Sequence, residues 1–381
     1  MTTAAPPIDL TDPVVVADPY PAFAAARAVA PVQWHEGLQL WLAFTHAESN
    51  AVLRDRRLGR IWRDRTPEER FASFNLVHRN AILEMEPPEH TRLRRLVSAA
   101  FARGHVERLR PWVQELADSL VDGLVERSGG TEEVDVLSGM AEELPVAVIA
   151  ELLGVPAADR PLLRPWSNAI VKMYEYGRTE AVEDAAERAA AEFVAYLREL
   201  AAERRRSPGE DLLTHLVTVR DSDGDRLTED ELVTTCVLLL NAGHEATVNV
   251  SGNGLLALLE HRDQLTRLRA DPALLPTAIE ELMRFDSPLQ LFERTATADV
   301  EVGGVTVREG QKVAALLGAA NRDPAVFTDP DTLDVGRTDN PHISFGALLG
   351  RTTELQLARP ARRRPEFVIR GLAELPVVLT R

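Results

Sequence analysis

The chain has 381 residues, of which 45% are hydrophobic, so it is long enough to bury a large core. Its 59 acidic residues exceed its 43 basic ones, and the net charge of -16 argues against partners such as nucleic acid or an anionic membrane. The N-terminus shows no signal-peptide pattern and no stretch is long and uncharged enough to span a bilayer, so we expect a cytoplasmic protein.

Short elements are predicted for the first ninety residues. The apolar alternation of residues 32–44 predicts a β-hairpin, and residues 47–56 predict a short helix. The segment 59–84 is expected to be irregular. Its aromatic side chains either line a pocket or anchor the segment by packing, and packing is favoured for Trp62, Phe71 and Phe74.

From Glu89 onward the apolar periodicity predicts one helix after another, followed by short strands and a proline-rich meander. The predicted helices begin at residue 89 and continue with 105–127, 141–153, 159–176, 180–206, 212–220, 228–261 and 272–285. The predicted strands are 295–302, 305–307 and 312–317, and the tail predicts a short helix near 347–358 and a strand pair near 367–379. We therefore predict a single domain over residues 1–381, mainly α with a small β region.

The longest predicted helix, Thr228 to His261, organises the chain. Thr228 and Glu231 have the spacing of a capping box, in which each side chain binds the other residue's backbone amide. The residues that follow are apolar on nearly every side, which is typical of a helix buried through a domain. A polar interruption at 241–245 indicates that something lies against its middle.

Two features of this helix bear on metals. The pair His244-Glu245 would open a zinc-protease motif, but Val248 stands where the second histidine is required. The chain has one cysteine, Cys236, so neither a disulfide within the chain nor a multi-cysteine metal site can form. We expect no metal site.

Six motifs in this order resemble bacterial cytochromes P450: MEPPEHTRLRRLVSAAF (85–101), AGHEAT (242–247), EELMRFDSP (280–288), FERTA (292–296), AANRDPAVFTDPDTLDVGR (319–337) and HISFG (342–346). The resemblance implies the cytochrome P450 fold, with the central helix passing over a haem. It implies a structural ion pair between Glu281 and Arg284. It also implies that four positions hold the haem propionates in this family: His90, Arg94, Arg294 and His342.

The chain departs from the family at the iron ligand. The family's cysteine follows a motif like HISFG within a few residues, but here Gly346 leads to ALLGRTTELQLARP with no cysteine. Residues 347–381 contain no Cys, His, Met, Tyr or Lys, so no simple substitute ligand is available there. Cys236 lies in the central helix, on the opposite side of the cofactor in this family. The expectation is a shortened proximal loop and helix, no haem, no monooxygenase activity and vestigial propionate positions.

The relay alcohol of the family is missing as well. An acidic residue followed by threonine is typical of the central helix, whereas Glu245 is followed by Ala246. Thr247 is one residue late and faces about 100° away around the helix. Both departures remove parts that oxygen activation uses.

The chain therefore resembles the P450-like auxiliary proteins that bind and activate or stabilise deoxysugar glycosyltransferases in macrolide and anthracycline pathways. The expected partner is the transferase of the same pathway. The arginines of residues 359–364 are either its docking site or simply solvated. In the alternative, the pocket is a haem-free enzyme site for a cyclisation, isomerisation or dehydration, with His244 and Glu245 as general acid or base.

Overall fold

Helices make up most of the regular structure in the computed structural model, which describes residues 8–101, 105–220, 224–344 and 354–380. The α-helices are α1 (Pro13–Ala17), α2 (Tyr20–Val29), α3 (His46–Arg54), α4 (Ala72–Arg79), α5 (Glu89–Phe101), α6 (His105–Ser128), α7 (Glu143–Leu153), α8 (Arg160–Val171), α9 (Glu180–Arg206), α10 (Leu212–Thr218), α11 (Glu229–Glu260), α12 (Arg262–Ala270), α13 (Leu275–Phe285) and α14 (Leu317–Ala320). Single helical turns of other types lie at Glu68–Phe71, Ile82–Glu84, Leu137–Ala141, Lys172–Tyr174 and Pro272–Leu274.

The strands are short. They are β1 (Val32–His35), β2 (Leu40–Ala43), β3 (Leu58–Gly59), β4 (Val134–Asp135), β5 (Phe292–Ala296), β6 (Val300–Val302), β7 (Val305–Val307), β8 (Lys312–Ala315), β9 (Glu354–Leu357), β10 (Arg362–Arg363), β11 (Leu372–Glu374) and β12 (Pro376–Thr380). The largest sheet among them has the order β1-β2-β8-β5-β3. A smaller sheet has the order β4-β12-β9.

The chain divides into two compact units, each made of more than one segment. Unit 1 comprises Met1–Gly59, Gly123–Ala141 and Ala246–Arg381, and unit 2 comprises Arg60–Asp122 and Glu142–Glu245. Helices α6 and α11 each contribute residues to both units. The prediction of one domain over residues 1–381 stays a prediction.

Among the described residues of unit 1, two apolar clusters hold helices and sheets together. In the largest sheet, β2 runs parallel to β8 with Trp41 opposite Val313, and β5 runs antiparallel to β8 with Arg294 opposite the same residue. One apolar cluster lies against this sheet. The other joins the second half of α11 to α13 and to β12, through residues such as Leu256, Leu282 and Val377. The C-terminal strands are therefore part of the core of unit 1.

Unit 2 is helical and has one large apolar core. Phe74 of α4, Leu93 of α5 and Phe193 of α9 are among its buried side chains. The first half of α11 runs through this core and contributes Val233, Cys236, Val237 and Leu240, as a helix that is apolar on nearly every side should.

The predicted capping box of α11 is present. The backbone amide of Thr228 donates to Glu231 Oε2 at 2.8 Å, and the amide of Glu231 donates to Thr228 Oγ1 at 3.2 Å. Arg92 also forms an ion pair with Glu231, so the cap is tied to α5. The 32-residue helix continues without a break through the polar residues 241–245.

The prediction of a mainly helical chain with small sheet regions is confirmed, and several details are wrong. Residues 295–302, predicted as one strand, belong to two strands, β5 and β6, of different sheets. The segment 59–84 contains α4 at Ala72–Arg79, and α12 was not predicted. Of the helix predicted at 347–358, residues 347–353 lie outside the described residues, and Glu354–Leu357 form strand β9 instead. This strand forms because β12 pairs with it in antiparallel register, which a local pattern does not reveal.

No helix within the described residues combines the length and the apolar character that crossing a bilayer requires.

Candidate functional site

A buried ion cluster on α13 is the best defined polar site of unit 1. Nε and Nη2 of Arg284 donate to the two carboxylate oxygens of Glu281 at 2.7 and 2.9 Å, and both side chains are fully buried. Arg337 adds a third donor, 3.0 Å from Glu281 Oε2. Arg284 Nη1 also donates to the carbonyl oxygens of Asn321 and Pro330, each at 2.8 Å. The cluster therefore fixes the meander after α14 on α13, as a structural ion pair should.

The residues just before position 345 are tethered to the same helix. Ser344 Oγ donates to the carbonyl oxygen of Met283 at 2.9 Å and accepts from Asn321 Nδ2 at 2.6 Å. Asn321 Oδ1 in turn accepts from the amide of Ile343 at 2.9 Å. The start of the HISFG motif is thus held in place, whereas residues 345–353 lie outside the described residues.

Two of the four predicted propionate positions belong to unit 1. His342 is half-buried, and its Nε2 lies 2.7 Å from Glu280 Oε2, so its ring is engaged by a carboxylate of α13. Arg294, on β5, is half-buried with its guanidinium 4.8 Å from the centre of the Phe292 ring. These contacts form without a propionate and say nothing about its binding. The propionate-binding roles of His342 and Arg294 therefore stay predictions.

The other two predicted positions, His90 and Arg94, lie one turn apart on α5 of unit 2. His90 is half-buried and Arg94 is exposed. The helix is fixed by the residue between them, since Arg92 pairs with Asp225 and Glu231. Their predicted role is likewise untested.

The candidate acid–base pair of the alternative enzyme is buried in unit 2. His244 and Glu245 are 2% and 4% exposed. His244 Nδ1 lies 3.4 Å from Ser167 Oγ and 3.8 Å from Glu245 Oε1. The general acid or base role of His244 and Glu245 in the alternative enzyme stays a prediction.

The family of the chain follows from its match to known proteins. The model of the family described as Cytochrome P450 matches residues 56–345, well over half of the chain. This chain belongs to the cytochrome P450 family. The α13 cluster and the tethered residues 342–344 lie inside the matched region.

Individual relatives extend the match over nearly the full length. The chain is 39% identical to cytochrome P450 monooxygenase PikC of Streptomyces venezuelae, over 99% of this chain and 95% of the relative. It is 36% identical to 6-deoxyerythronolide B hydroxylase of Saccharopolyspora erythraea, over 95% of this chain and 96% of the relative. The crystal structure of P450BioI in complex with hexadec-9Z-enoic acid ligated acyl carrier protein superposes with a TM-score of 0.89 at 34% identity, covering 96% of this chain and 99% of that one. The predicted P450 fold is confirmed.

The expectation that haem is not a cofactor is contradicted by this membership. Cytochromes P450 are haem proteins, and the similar proteins include a P450 monooxygenase with close to full coverage. The expectation rested on the missing cysteine after Gly346. The absence of one ligand residue is weaker evidence about the cofactor than homology over the whole chain.

The described residues nevertheless do not fit the thiolate ligand that the family uses for haem iron. Cys236 is 0% exposed and packs in the apolar core of unit 2 beside Val233 and Leu240. Burial raises the pKa of its thiol to about 12, and the charge of Asp211 adds to the effect. A thiol in this position stays protonated at neutral pH, and a metal ligand must be a thiolate. Cys236 is a core residue.

Sequence reasoning left Arg337 unassigned, although it completes the α13 ion cluster. It stands at the end of the motif 319–337, so the motif carried the signal. Asn321 and Ser344 also stand in quoted motifs, but their contact joins two separate segments and only the structure shows it.

Proposed function

We propose that this cytochrome P450 family member is an auxiliary protein that binds a deoxysugar glycosyltransferase and activates or stabilises it in a macrolide- or anthracycline-type pathway. The observation that carries the proposal is the burial of Cys236, the chain's one cysteine, in the core of unit 2. Without a thiolate from this residue, the task that best suits the chain is one that needs no oxygen chemistry from it.

A second departure supports the same role. Ala246 follows Glu245 in α11, where an acid followed by threonine is typical of the family, and alanine has no hydroxyl to pass a proton. One relative is a hydroxylase of 6-deoxyerythronolide B, which supports placing the chain in natural-product biosynthesis.

The arginines of residues 359–364, predicted to be either the docking site of the partner or simply solvated, are engaged within unit 1. Arg359 pairs with Glu133 and Glu374, and Arg362 pairs with the same Glu374. Arg363 pairs with Asp286. The arginines of residues 359–364 therefore hold the C-terminal segment in unit 1 through ion pairs. The side chain among them that is best placed to reach a partner is Arg362, which is 65% exposed.

The test is reconstitution with the glycosyltransferase of the same pathway. We expect the two purified proteins to co-elute on size exclusion and the sugar-transfer rate, or the half-life of the transferase, to rise when the full chain is added. Separate elution together with an unchanged rate and half-life would overturn the proposal.

Charge reversal at Arg362 tests where the partner binds. Arg362→Glu is expected to weaken co-elution, while Arg57→Glu, at a 55%-exposed arginine paired with Asp55, serves as the matched control. Equal binding by both variants would place the interface elsewhere.

The same assay distinguishes the alternative enzyme. His244→Gln and Glu245→Gln are expected to leave transferase activation unchanged, because neither side chain reaches the surface. Turnover of the pathway intermediate by the chain alone, lost in both variants, would instead identify an enzyme.

A further inference from the structure

Unit 2 has a surface cleft of about 670 Å³ whose lining contains none of the candidate site residues described above. Its lining comes from the segment between residues 60 and 86 and includes Trp62, Ile61 and two ion pairs. It is wide open to solvent, and its volume lies in the range of small-molecule sites.

An aromatic side chain forms a fixed surface in this cleft. The indole of Trp62 stacks on the ring of His78, with centroids 4.6 Å apart and planes 21° apart. Its Nε1 donates to Asp64 Oδ1 at 2.7 Å. His78 is itself held, because Nδ1 lies 2.8 Å from the carbonyl oxygen of Phe74 and must donate to it, which leaves Nε2 to accept from the Tyr174 hydroxyl at 3.0 Å. One indole face is covered by His78, and Trp62 also lines the cleft.

Polar groups with planar geometry stand beside the indole. Arg60 pairs with Glu84, and Arg79 pairs with Asp64. Each pair neutralises its own charge but keeps carboxylate lone pairs and guanidinium N–H groups that can bind hydroxyls. Ile61 adds apolar surface and is 43% exposed.

The charge balance selects the class of ligand. Three arginines and four carboxylates line the cleft, so a phosphate or another strong anion gains little there. A wholly apolar molecule would displace the water that is bound to the ion pairs and would form no hydrogen bonds to replace it. A neutral ring with an apolar face and several hydroxyls suits both the indole and the pairs.

We propose that this cleft binds a neutral hexopyranose ring, stacked on Trp62 and hydrogen-bonded through its hydroxyls to the Arg60–Glu84 and Arg79–Asp64 pairs. Sugar binding here does not require the transferase. A hexopyranose is also the substrate class of the proposed partner, and because sugar binding and complex formation are measured separately, either can fail without the other.

The experiment is saturation-transfer NMR on the full chain, with methyl rhamnopyranoside at millimolar concentration as the probe. We expect saturation transfer to the ring protons of the sugar, and a Trp62→Ala variant that binds about fivefold more weakly, the loss expected for one stacked aromatic ring. Trp34→Ala is the matched control, because Trp34 also donates from Nε1 to a carboxylate two residues later, that of Glu36.

A second variant covers the case in which Trp62→Ala disturbs folding. Ile61→Glu changes only an exposed side chain at the cleft and adds a charge beside the indole, so it is expected to weaken the sugar signal while leaving the thermal midpoint of the chain unchanged. Inorganic phosphate is expected not to compete. No saturation transfer from the wild-type chain to the sugar, equal signals in the cleft variants and in Trp34→Ala, or displacement of the sugar by phosphate would each overturn the proposal.

Discussion

His78 is a buried histidine whose ring stays neutral at neutral pH. Burial lowers the pKa of its ring from 6.5 to about 4, and the charges of Arg65 and Arg60 act in the same direction. The Phe74 carbonyl and Glu84 oppose the shift without overcoming it. Burial also raises the pKa of Tyr174 to about 12, so its hydroxyl keeps the proton that it donates to His78.

This pKa predicts an acid-sensitive stability. Above pH 6.5 the ring is neutral in the folded and the unfolded chain, so the full stability is present. Between pH 6.5 and about 4 only the unfolded chain takes up the proton, and the free energy of unfolding falls by on the order of 3 kcal/mol through this one group.

The measurement is urea unfolding at a series of pH values for the wild type and a His78→Gln variant. Subtracting the two profiles cancels the other titrating groups. We expect the difference to be constant above pH 6.5 and to shrink toward pH 4; a constant difference over the whole range would show that the ring titrates alike in both states.

At the scale of single elements, α4 shows how one helix depends on another. Its N-cap position, Phe71, provides no side-chain hydrogen bond. The carboxylate of Glu187 on α9 does so instead, with Oε1 accepting from the amide of Ser73 and Oε2 from that of Phe74, both at 2.9 Å. A carboxylate at a helix N-terminus also interacts favourably with the helix dipole.

Removing this carboxylate is expected to open α4 locally. We predict that Glu187→Ala raises the hydrogen-exchange rates of the α4 amides more than tenfold, because two charge-assisted hydrogen bonds contribute about 2 kcal/mol or more. Glu199→Ala, at an exposed site of the same helix, is the control and should leave α4 unchanged. Equal exchange in the two variants would contradict the role of Glu187.

At the scale of the whole chain, the two ends of the described sequence meet on one carboxylate in unit 1. Asp286 accepts from the Tyr20 hydroxyl and from Arg370 Nε at 2.7 Å each, and from Arg363 Nη2 at 2.9 Å. Arg370 Nη2 also donates to the carbonyl oxygen of Ala17 at 2.7 Å. Burial would raise the pKa of Asp286, but the two guanidinium groups outweigh it and hold that pKa well below its usual range.

Neutralising this carboxylate is expected to loosen the tail. Asp286→Asn leaves the buried charge of Arg370 without its partner, so we predict a loss of about 3–5 kcal/mol in the free energy of unfolding. Asp334→Asn removes an exposed pair with Arg267 and should cost at most about 1 kcal/mol. Denaturant unfolding of both variants measures the two losses in the free energy of unfolding. Equal losses would mean that the Asp286 cluster contributes no more stability than a surface ion pair.

Much of the fold was predictable because its signals are local. The capping box of Thr228 and Glu231, the β1–β2 hairpin and the helical periodicity from α5 to α11 depend on residues close in sequence, and the structure contains all of them. The family was recognisable for a related reason: its motifs, such as EELMR around Glu281, are short and keep their order.

By itself, the sequence determined the helical architecture, the family and the absence of a cysteine after Gly346. The missing cysteine led to the wrong prediction that haem is not a cofactor, because the loss of one ligand does not outweigh homology along the chain. The tertiary structure alone decided that α4 forms under a cap from α9, that residues 354–357 pair as a strand, and that Trp62 faces a cleft. The cap and the strand pairing each depend on contacts between separate segments of the chain, and no local pattern encodes the free energy of such contacts.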